Sequence, residues 1–230
     1  MSSGKIVGVL GGMGPDATVD FMAKVIALTR ADRDQGHIHM LVDHNPTVPN
    51  RQAAILGDGE DPGPALAAMA QRLQDAGADF LVMPCNTAYV FEQSIVSAVN
   101  IPLVSIIEET IAALPEKCSR AGLLATDGCL QAGIYQRSLR SNDIEPIEPS
   151  GDDLTELMNL IHAIKAGDTS AAIADTMRAL ARELVEQGAD AVIAGCTEIP
   201  LVLEDSMLDV PLISSTDVLA QKTVQLAKSE

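Results

Sequence analysis

The chain contains the stretch Gly77-Ala78-Asp79-Phe80-Leu81-Val82-Met83-Pro84-Cys85-Asn86-Thr87, which aligns without a gap to Gly188-Ala189-Asp190-Ala191-Val192-Ile193-Ala194-Gly195-Cys196-Thr197-Glu198. Each stretch starts at a glycine, passes through an apolar run and ends in a cysteine followed by polar residues. Cys85 and Cys196 lie nearly half of the 230-residue chain apart. A fold built from two similar halves would place these two thiols against each other across the cleft between the halves.

Short β-branched runs alternate with segments of helical periodicity along the whole sequence. The patterns predict strands at 5–10, 37–43, 79–83, 101–106, 121–125, 144–147, 190–194 and 211–213. They predict helices at 16–29, 51–56, 64–76, 86–99, 108–114, 131–139, 153–166, 170–187 and 216–228. Such alternation is typical of parallel sheets with helices on both faces.

A second pair of matching segments extends the repeat. Ile101-Pro102-Leu103-Val104-Ser105 corresponds to Val210-Pro211-Leu212-Ile213-Ser214. We therefore predict an α/β protein of two pseudo-symmetric three-layer α/β/α domains. Each has a short, mostly parallel sheet, and the active site lies in the cleft between them. The first domain is predicted to comprise residues 1–99 plus 209–230 and to carry Cys85. The second comprises 100–208 and carries Cys196.

Composition restricts the class of protein. Hydrophobic residues make up 47% of the sequence but aromatic residues only 2%, so the core must be aliphatic. No apolar run approaches the roughly 20 residues that a membrane-spanning helix needs. The first residues lead directly into a strand pattern without the features of a signal peptide. We therefore expect a cytoplasmic protein that does not enter a membrane.

The net charge of −17 argues against nucleic acid as a partner, because that binding depends on clustered Lys and Arg. An anionic ligand would need a local cationic pocket. Arg51 follows Pro49-Asn50 at a predicted helix start, where the helix dipole disfavours a cation. This misplacement is a sign of function. Lys165 lies in the last turn of its helix, where a cation is expected in any case.

The cysteines have the character of free thiols. Four cysteines in a cytoplasmic-looking chain do not indicate disulfides, and their spacing is wrong for a structural zinc site. Cys85 and Cys196 each follow a predicted strand and precede a predicted helix, whose N-terminus would lower the pKa of a thiol. Cys118 has no motif around it and is predicted to have no catalytic role.

Two facing thiols suit proton transfer at carbon. A thiolate can remove a proton from one face while a thiol delivers a proton to the other, and repulsion between like charges keeps the pair singly ionised. Donors from Asn86, Thr87 and Thr197 could stabilise the negative charge that develops on a neighbouring carboxylate.

Four motifs together resemble the aspartate/glutamate racemase superfamily, and its aspartate racemase branch most closely. They are Gly11-Gly12-Met13-Gly14-Pro15, Pro84-Cys85-Asn86-Thr87-Ala88, Gly122-Leu123-Leu124-Ala125-Thr126 and Ala194-Gly195-Cys196-Thr197-Glu198. The resemblance implies a two-base aspartate racemase without cofactor or metal, assembled as a homodimer. It also implies that Cys85 acts on the D-enantiomer and Cys196 on the L-enantiomer.

The resemblance further implies which residues contact the substrate. They are Met13, Arg51, Asn86, Thr87, Thr126, Lys165, Thr197 and Glu198. Glu198, beside Cys196, is the residue that favours aspartate over glutamate. Tyr89 and Cys129 stand where relatives often carry His and Thr, and we expect these two departures to influence substrate preference.

Other interpretations of the sequence remain open. The same superfamily includes glutamate-preferring and broad-specificity racemases. Gly12-Met13-Gly14-Pro15-Asp16-Ala17 matches a dinucleotide fingerprint, which would indicate an NAD-dependent oxidoreductase. A non-catalytic binding protein for an acidic amino acid is a third class. The four histidines, His37, His39, His44 and His162, are predicted to be structural.

Overall fold

The computed structural model describes residues 4–229, which contain two parallel β-sheets. The first sheet has the strand order β2-β1-β3, with β1 at Val7–Gly11, β2 at Met40–His44 and β3 at Phe80–Val82. The second has the order β5-β4-β6-β7, with β4 at Arg120–Leu124, β5 at Glu145–Ile147, β6 at Ala191–Ala194 and β7 at Leu212–Ser214. Every strand pairing in both sheets is parallel, as the alternating pattern predicted.

Helices connect the strands and cover the sheets. The α-helices are α1 (Pro15–Thr29), α2 (Arg51–Leu56), α3 (Gly63–Asp75), α4 (Glu92–Val96), α5 (Ile106–Ala112), α6 (Asp127–Ala132), α7 (Ile134–Ser141), α8 (Asp152–Lys165), α9 (Ala171–Glu186) and α10 (Ser215–Lys228). Short 3-10 helices lie at Asp34–Gly36, Thr87–Phe91, Ile199–Leu201 and Asp205–Met207. None of the helices between residues 4 and 229 is long and apolar enough to cross a membrane. The predicted α/β class is confirmed.

The repeat in the sequence is also a repeat in the structure. The backbone N–H of Leu81 in β3 donates to the carbonyl of Pro102 at 2.8 Å. At the equivalent place in the second half, the N–H of Val192 in β6 donates to the carbonyl of Pro211 at 2.9 Å. The two cysteine motifs therefore follow the carboxyl ends of equivalent strands, β3 and β6, in the two sheets.

The same arrangement of an aspartate, repeated in the two halves, ties each sheet to its cysteine strand. Asp79 accepts a hydrogen bond from the backbone N–H of Ile6. Asp190 accepts hydrogen bonds from the N–H groups of Ser119 and Arg120, at 2.8 and 3.0 Å. The hydrogen bonds from Ser119 and Arg120 lower the pKa of Asp190. In both halves the aspartate therefore holds the start of the neighbouring strand, which explains why Gly-Ala-Asp is part of the repeat.

The segment 209–230 does not belong to the first domain as a unit. Its strand, β7, pairs with β6 in the second sheet. Its helix, α10, packs against α1 and α5 on the first half. The predicted boundary is therefore wrong for β7, because the strand completes the ladder of the second sheet before the chain crosses back.

Three predicted elements differ from the structure. The helix predicted over 86–99 is a 3-10 helix followed by the short α4. Tyr89, in the 3-10 helix, donates its hydroxyl hydrogen bond to the carbonyl of Val104. The helix predicted over 131–139 is broken at Gly133, whose φ of 67° is left-handed. The strand predicted over 101–106 is a single parallel bridge between Leu81 and Leu103.

One apolar core continues from the first sheet into the second. Leu10 and Leu81 of the first sheet belong to the same buried cluster as Leu123 and Tyr135 of the second half. A second cluster lies beneath α8 and α9. Because interiors of this kind are close-packed, the shared core holds the ends of the two sheets in a defined relation to each other.

We expect Asp190→Ala to lower the free energy of unfolding by about 1 kcal/mol, because backbone N–H groups of Ser119 and Arg120 lose their acceptor. The pKa of Asp190 is lowered in the folded protein, so its contribution is present above the ordinary pKa of about 3.9 and disappears as the pH falls through the lower folded value. Denaturant unfolding at pH 7 and pH 3 measures both effects.

Asp32→Ala, at an exposed aspartate in the loop after α1, is the matched control and should leave stability unchanged. An equal loss of stability in both variants would contradict the role assigned to Asp190.

Candidate active site

A cavity of about 590 Å³ lies at the carboxyl ends of the central strands of both sheets. Met13 follows β1, Cys85 follows β3, Thr126 follows β4 and Cys196 follows β6, and all four line it. This is the edge at which α/β proteins bind ligands. Every site residue predicted from the sequence lies in the lining: Met13, Arg51, Cys85, Asn86, Thr87, Thr126, Lys165, Cys196, Thr197 and Glu198.

Both cysteines of the repeat are free thiols on the same cavity. Each is 6% exposed, and they come from opposite halves of the fold. The expectation that each begins an α-helix is wrong, because the segments that follow are the 3-10 helices Thr87–Phe91 and Ile199–Leu201. Such short helices have little dipole to offer a thiol. Within residues 4–229, no three His, Cys, Asp or Glu side chains are grouped as metal ligands.

The carboxylate of Glu198 lies between an ammonium group and a thiol. Lys165 Nζ donates to Glu198 Oε1 at 2.5 Å. Cys196 Sγ donates to Glu198 Oε2 at 3.0 Å, and the hydroxyl of Thr197 lies 3.4 Å from the same oxygen. Glu198 is 3% exposed. A carboxylate so deeply buried must be paired, and here both of its oxygens are.

These contacts set the protonation state of Cys196. Burial raises the pKa of Cys196 well above its ordinary value, and the negative charge of Glu198 raises it further, while Lys165 opposes both. Burial works to lower the pKa of Lys165, but the negative charges of Cys196, when it is a thiolate, and of Glu198 outweigh burial and raise the pKa of Lys165. Cys196 therefore rests as a thiol beside an ionised Lys165–Glu198 pair.

The glycine-rich loop after β1 is required by packing. A Cβ on Gly14 would lie 2.9 Å from Glu198 Oε1, and one on Gly12 would lie 2.5 Å from the backbone of Asn45. Gly12 also has a left-handed φ of 93°. The glycines of this motif are therefore explained by close contact with Asn45 and Glu198 of the protein itself, without a bound dinucleotide.

Arg51 has one guanidinium nitrogen that is bonded within the protein and another that is buried without a partner. Its Nη1 donates to the carbonyls of Val48 and Pro49, at 3.1 and 3.2 Å. Its Nε is buried and has no hydrogen-bond partner among residues 4–229. A buried donor without a partner is costly, and a guanidinium can hold the two oxygens of a carboxylate. Arg51 is therefore the group in the cavity most suited to hold a carboxylate.

Two threonines meet across the cavity. The hydroxyls of Thr87, from the first half, and Thr126, from the second, are 3.0 Å apart. Thr126 also caps α6 by accepting a hydrogen bond from the backbone N–H of Cys129. The pair therefore joins the two cysteine-bearing halves on the side of the cavity next to Cys85.

Asn86 is held by a buried chain of hydrogen bonds. Tyr135 donates to Asn86 Oδ1 at 2.7 Å, and Asn86 Nδ2 donates to Ser215 Oγ at 3.0 Å. Ser215 in turn donates to the carbonyl of Ala194, at the end of β6. The residue next to Cys85 is thereby tied to the strand that carries Cys196, which limits how far the two thiols can separate.

The two departures from the family pattern do not reach the cavity. Tyr89 is 3% exposed and its hydroxyl is bound to the carbonyl of Val104. Cys129 is fully buried beneath the site, and burial raises its pKa to about 12. Neither lines the cavity. Their positions therefore do not support the expectation that these two departures influence substrate preference.

Several lining residues were missed by the sequence interpretation. Gln52 and Leu56 from α2, Asp58 from the loop after it, and Ile161 and His162 from α8 all line the cavity. His162, which was predicted to be structural, therefore lies on the wall of the cavity. A helical signal was available, because Ile161 and His162 lie one turn before Lys165 and share its face of α8.

The chain is similar to known proteins along most of its length. A protein-family model described as Asp/Glu/Hydantoin racemase matches residues 10–223. A broad-specificity amino-acid racemase of Bacillus subtilis (strain 168) is 34% identical over 224 residues, which are 95% of this chain and 96% of the relative. The solved structure of Picrophilus torridus aspartate racemase has a TM-score of 0.88 at 29% identity, covering 99% of this chain and 96% of its own.

A further solved structure, an aspartate racemase homologue from Pyrococcus horikoshii OT3, has a TM-score of 0.80 at 23% identity and covers 98% of this chain and 100% of its own. That likeness concerns the fold. The family model spans most of the chain, and the cavity between the halves holds both cysteines of the repeat. The chain therefore belongs to the Asp/Glu/hydantoin racemase family.

Proposed function

We propose that this protein is a two-base amino-acid racemase that uses Cys85 and Cys196 and requires no cofactor. The observation that carries the proposal is the arrival of two free thiols, from equivalent positions of two repeated halves, on one cavity. Racemisation needs a proton acceptor on one face of the α-carbon and a proton donor on the other. A single thiol on one face cannot supply both.

The reaction begins with the α-carboxylate of the substrate on the guanidinium of Arg51, which lines the cavity. The thiolate of Cys85 takes the α-proton and becomes a thiol, and the electron pair of the broken C–H bond remains on the α-carbon and its carboxylate. Cys196, which holds its proton at rest, then delivers that proton to the opposite face. The product is the other enantiomer, and the thiolate is now Cys196. The reverse reaction exchanges the two roles.

Glu198 is a positioning residue for Cys196. The 3.0 Å hydrogen bond to Glu198 Oε2 holds the S–H group of Cys196 while Cys196 is the proton donor. After Cys196 has given its proton to the substrate, Lys165, at 2.5 Å from the other oxygen of Glu198, offsets the negative charge of the thiolate and the carboxylate. The pair thus lets one buried thiol serve both as a donor and, after loss of its proton, as an acceptor.

Aspartate is the substrate that the resemblance favours, through Gly195-Cys196-Thr197-Glu198, and the Picrophilus torridus structure carries the name aspartate racemase. The Bacillus subtilis relative carries the name of a broad-specificity racemase. The size of the cavity favours this second candidate, because about 590 Å³ is far more than a four-carbon amino acid occupies. Homodimer assembly stays a prediction that sedimentation can test.

We expect Cys85→Ala and Cys196→Ala each to reduce racemisation at least 100-fold, because each removes the acid or base from one face (about 10²–10⁴ for such groups). Each variant should still exchange the α-proton of one enantiomer in heavy water: the L-enantiomer for Cys85→Ala and the D-enantiomer for Cys196→Ala. A chiral assay over both enantiomers of the common amino acids, with proton exchange followed by NMR, measures both effects.

Cys118→Ala is the matched control, because this buried thiol contacts the carbonyl of Arg120 and does not line the cavity. Its activity should equal that of the unmodified protein. Near-normal racemisation by Cys85→Ala would contradict the two-base proposal.

Glu198→Gln keeps the size of the side chain and removes its charge. Since the charge of Glu198 raises the pKa of Cys196, the variant should have a lower pKa at this thiol, closer to the ordinary value of about 8.5. The acidic limb of the kcat/KM profile, on which activity rises with pH in the direction where Cys196 is the base, should therefore move to lower pH. Thiolate absorbance during a pH titration reports the same shift independently of turnover. A profile that stays in place while only kcat falls would mean that Glu198 does not govern Cys196.

Arg51→Lys keeps the positive charge but cannot grip a carboxylate with two parallel hydrogen bonds. We expect KM to rise and kcat/KM to fall at least tenfold, because the α-carboxylate is bound less firmly in both the ground and transition states. Arg72→Lys, which alters an exposed ion pair with Asp43, is the control and should have normal kinetics. Unchanged kinetics in Arg51→Lys would remove Arg51 from the site.

A further inference from the structure

We propose that the outer part of the cavity is a subsite for a substrate side chain that is longer than that of aspartate and ends in a cationic nitrogen, as in the basic amino acids. This basic subsite is lined by Leu56, Asp58, Ile161 and His162. The inference rests on the proposed racemase function and names a substrate class for the same site. Three independent features of the described residues carry it.

The first feature is volume. A cavity of about 590 Å³ holds about 20 water molecules at roughly 30 Å³ each. Aspartate has only nine non-hydrogen atoms, so a large part of the cavity stays filled with water when it binds. A longer side chain would displace that water and reach the residues supplied by α2 and α8.

The second feature is the balance of charge in the lining. The cationic side chains are Arg51 and Lys165, and the acidic ones are Glu198 and Asp58. Lys165 is paired with Glu198 at 2.5 Å, so Arg51 is left for the α-carboxylate. Together with one catalytic thiolate, these four side chains carry a net charge of about −1. A second carboxylate on the substrate would add to that negative charge, whereas a side-chain ammonium group would cancel it.

The third feature is the way the chain brings Asp58 to the cavity. Gly57 ends α2 with a left-handed φ of 89°, and the N–H of Asp58 donates back to the carbonyl of Ala53 at 2.9 Å. Gly59 packs so closely on α2 that a Cβ would lie 2.8 Å from that of Ala53. This turn folds Asp58 over the end of the helix. Within residues 4–229 its carboxylate has no salt bridge within 4.0 Å.

Between the reacting centre and Asp58 the lining is partly aliphatic. Ile161 is fully buried and Leu56 is 44% exposed at the edge of the cavity. A chain of methylene groups would cover Leu56 and leave its charged end in the water near Asp58, as long basic side chains do on protein surfaces. A short side chain such as that of aspartate leaves Leu56 uncovered.

The test compares kcat/KM for lysine, methionine and aspartate, which have a long cationic, a long neutral and a short acidic side chain. In the unmodified protein we expect kcat/KM to be higher for lysine than for methionine or aspartate. In Asp58→Asn the value for lysine should fall about fivefold, the effect of losing one solvent-exposed ion pair, while that for methionine stays within twofold. Asp58→Lys should lower kcat/KM for lysine further and raise kcat/KM for aspartate. Glu60→Gln, with the same charge change in the same exposed loop but outside the cavity, should alter none of them.

The outcomes separate the subsite from the racemase function. Turnover of aspartate without turnover of lysine, or equal effects of Asp58→Asn on lysine and methionine, would overturn the subsite and leave the racemase proposal intact. Calorimetry covers the case in which no amino acid is racemised. Lysine binding that weakens in Asp58→Asn would then support the subsite while the racemase function fails, and absence of lysine binding would overturn both.

Discussion

The carboxylate of Glu198 is the group around which the rest of the site is arranged. It is buried, and its two oxygens accept from Lys165 and Cys196. A buried charge is stable only when paired, so the end of α8 and the turn after β6 must stay together for the second half of the fold to hold its shape. The backbone of Gly14, in the loop after β1, closes against the same carboxylate. The loop of the first half therefore packs directly against the Glu198 carboxylate of the second half.

The two halves are alike in architecture and unlike in the surroundings of their thiols. Equivalent strands deliver Cys85 and Cys196 to one cavity, yet Cys196 has Glu198 and Lys165 beside it, whereas Cys85 is followed by Asn86, which is bound to Tyr135 and Ser215. The contacts of Glu198 fix the proton of Cys196, and the hydrogen bonds of Asn86 hold the segment that carries Cys85 in place. In the proposed mechanism, repetition supplies the two opposed thiols that inversion at carbon requires, and the contacts of Glu198 and Lys165 keep Cys196 protonated at rest.

Much of the site was predictable because it follows strand ends. Residues directly after parallel strands meet at one edge of the sheet, so the cysteine motifs and Thr126 could be placed from their position in the sequence. Asp58 and His162 could not be placed in this way. Asp58 reaches the cavity because a turn at Gly57 folds back over α2, and His162 because of the direction in which α8 faces. Both depend on how helices pack, which local pattern does not encode.

By itself, the sequence determined the repeat, the parallel α/β class and the pairing of Cys85 with Cys196, because periodicity and strand-end position are local properties of the chain. The tertiary structure decided the rest. It transferred β7 to the second sheet, replaced the expected helix starts after both cysteines with 3-10 helices, and made Cys196 a resting thiol through burial beside Glu198. The pKa of a thiol depends on desolvation and on charges brought near it from distant parts of the chain, and those exist only once the chain has folded.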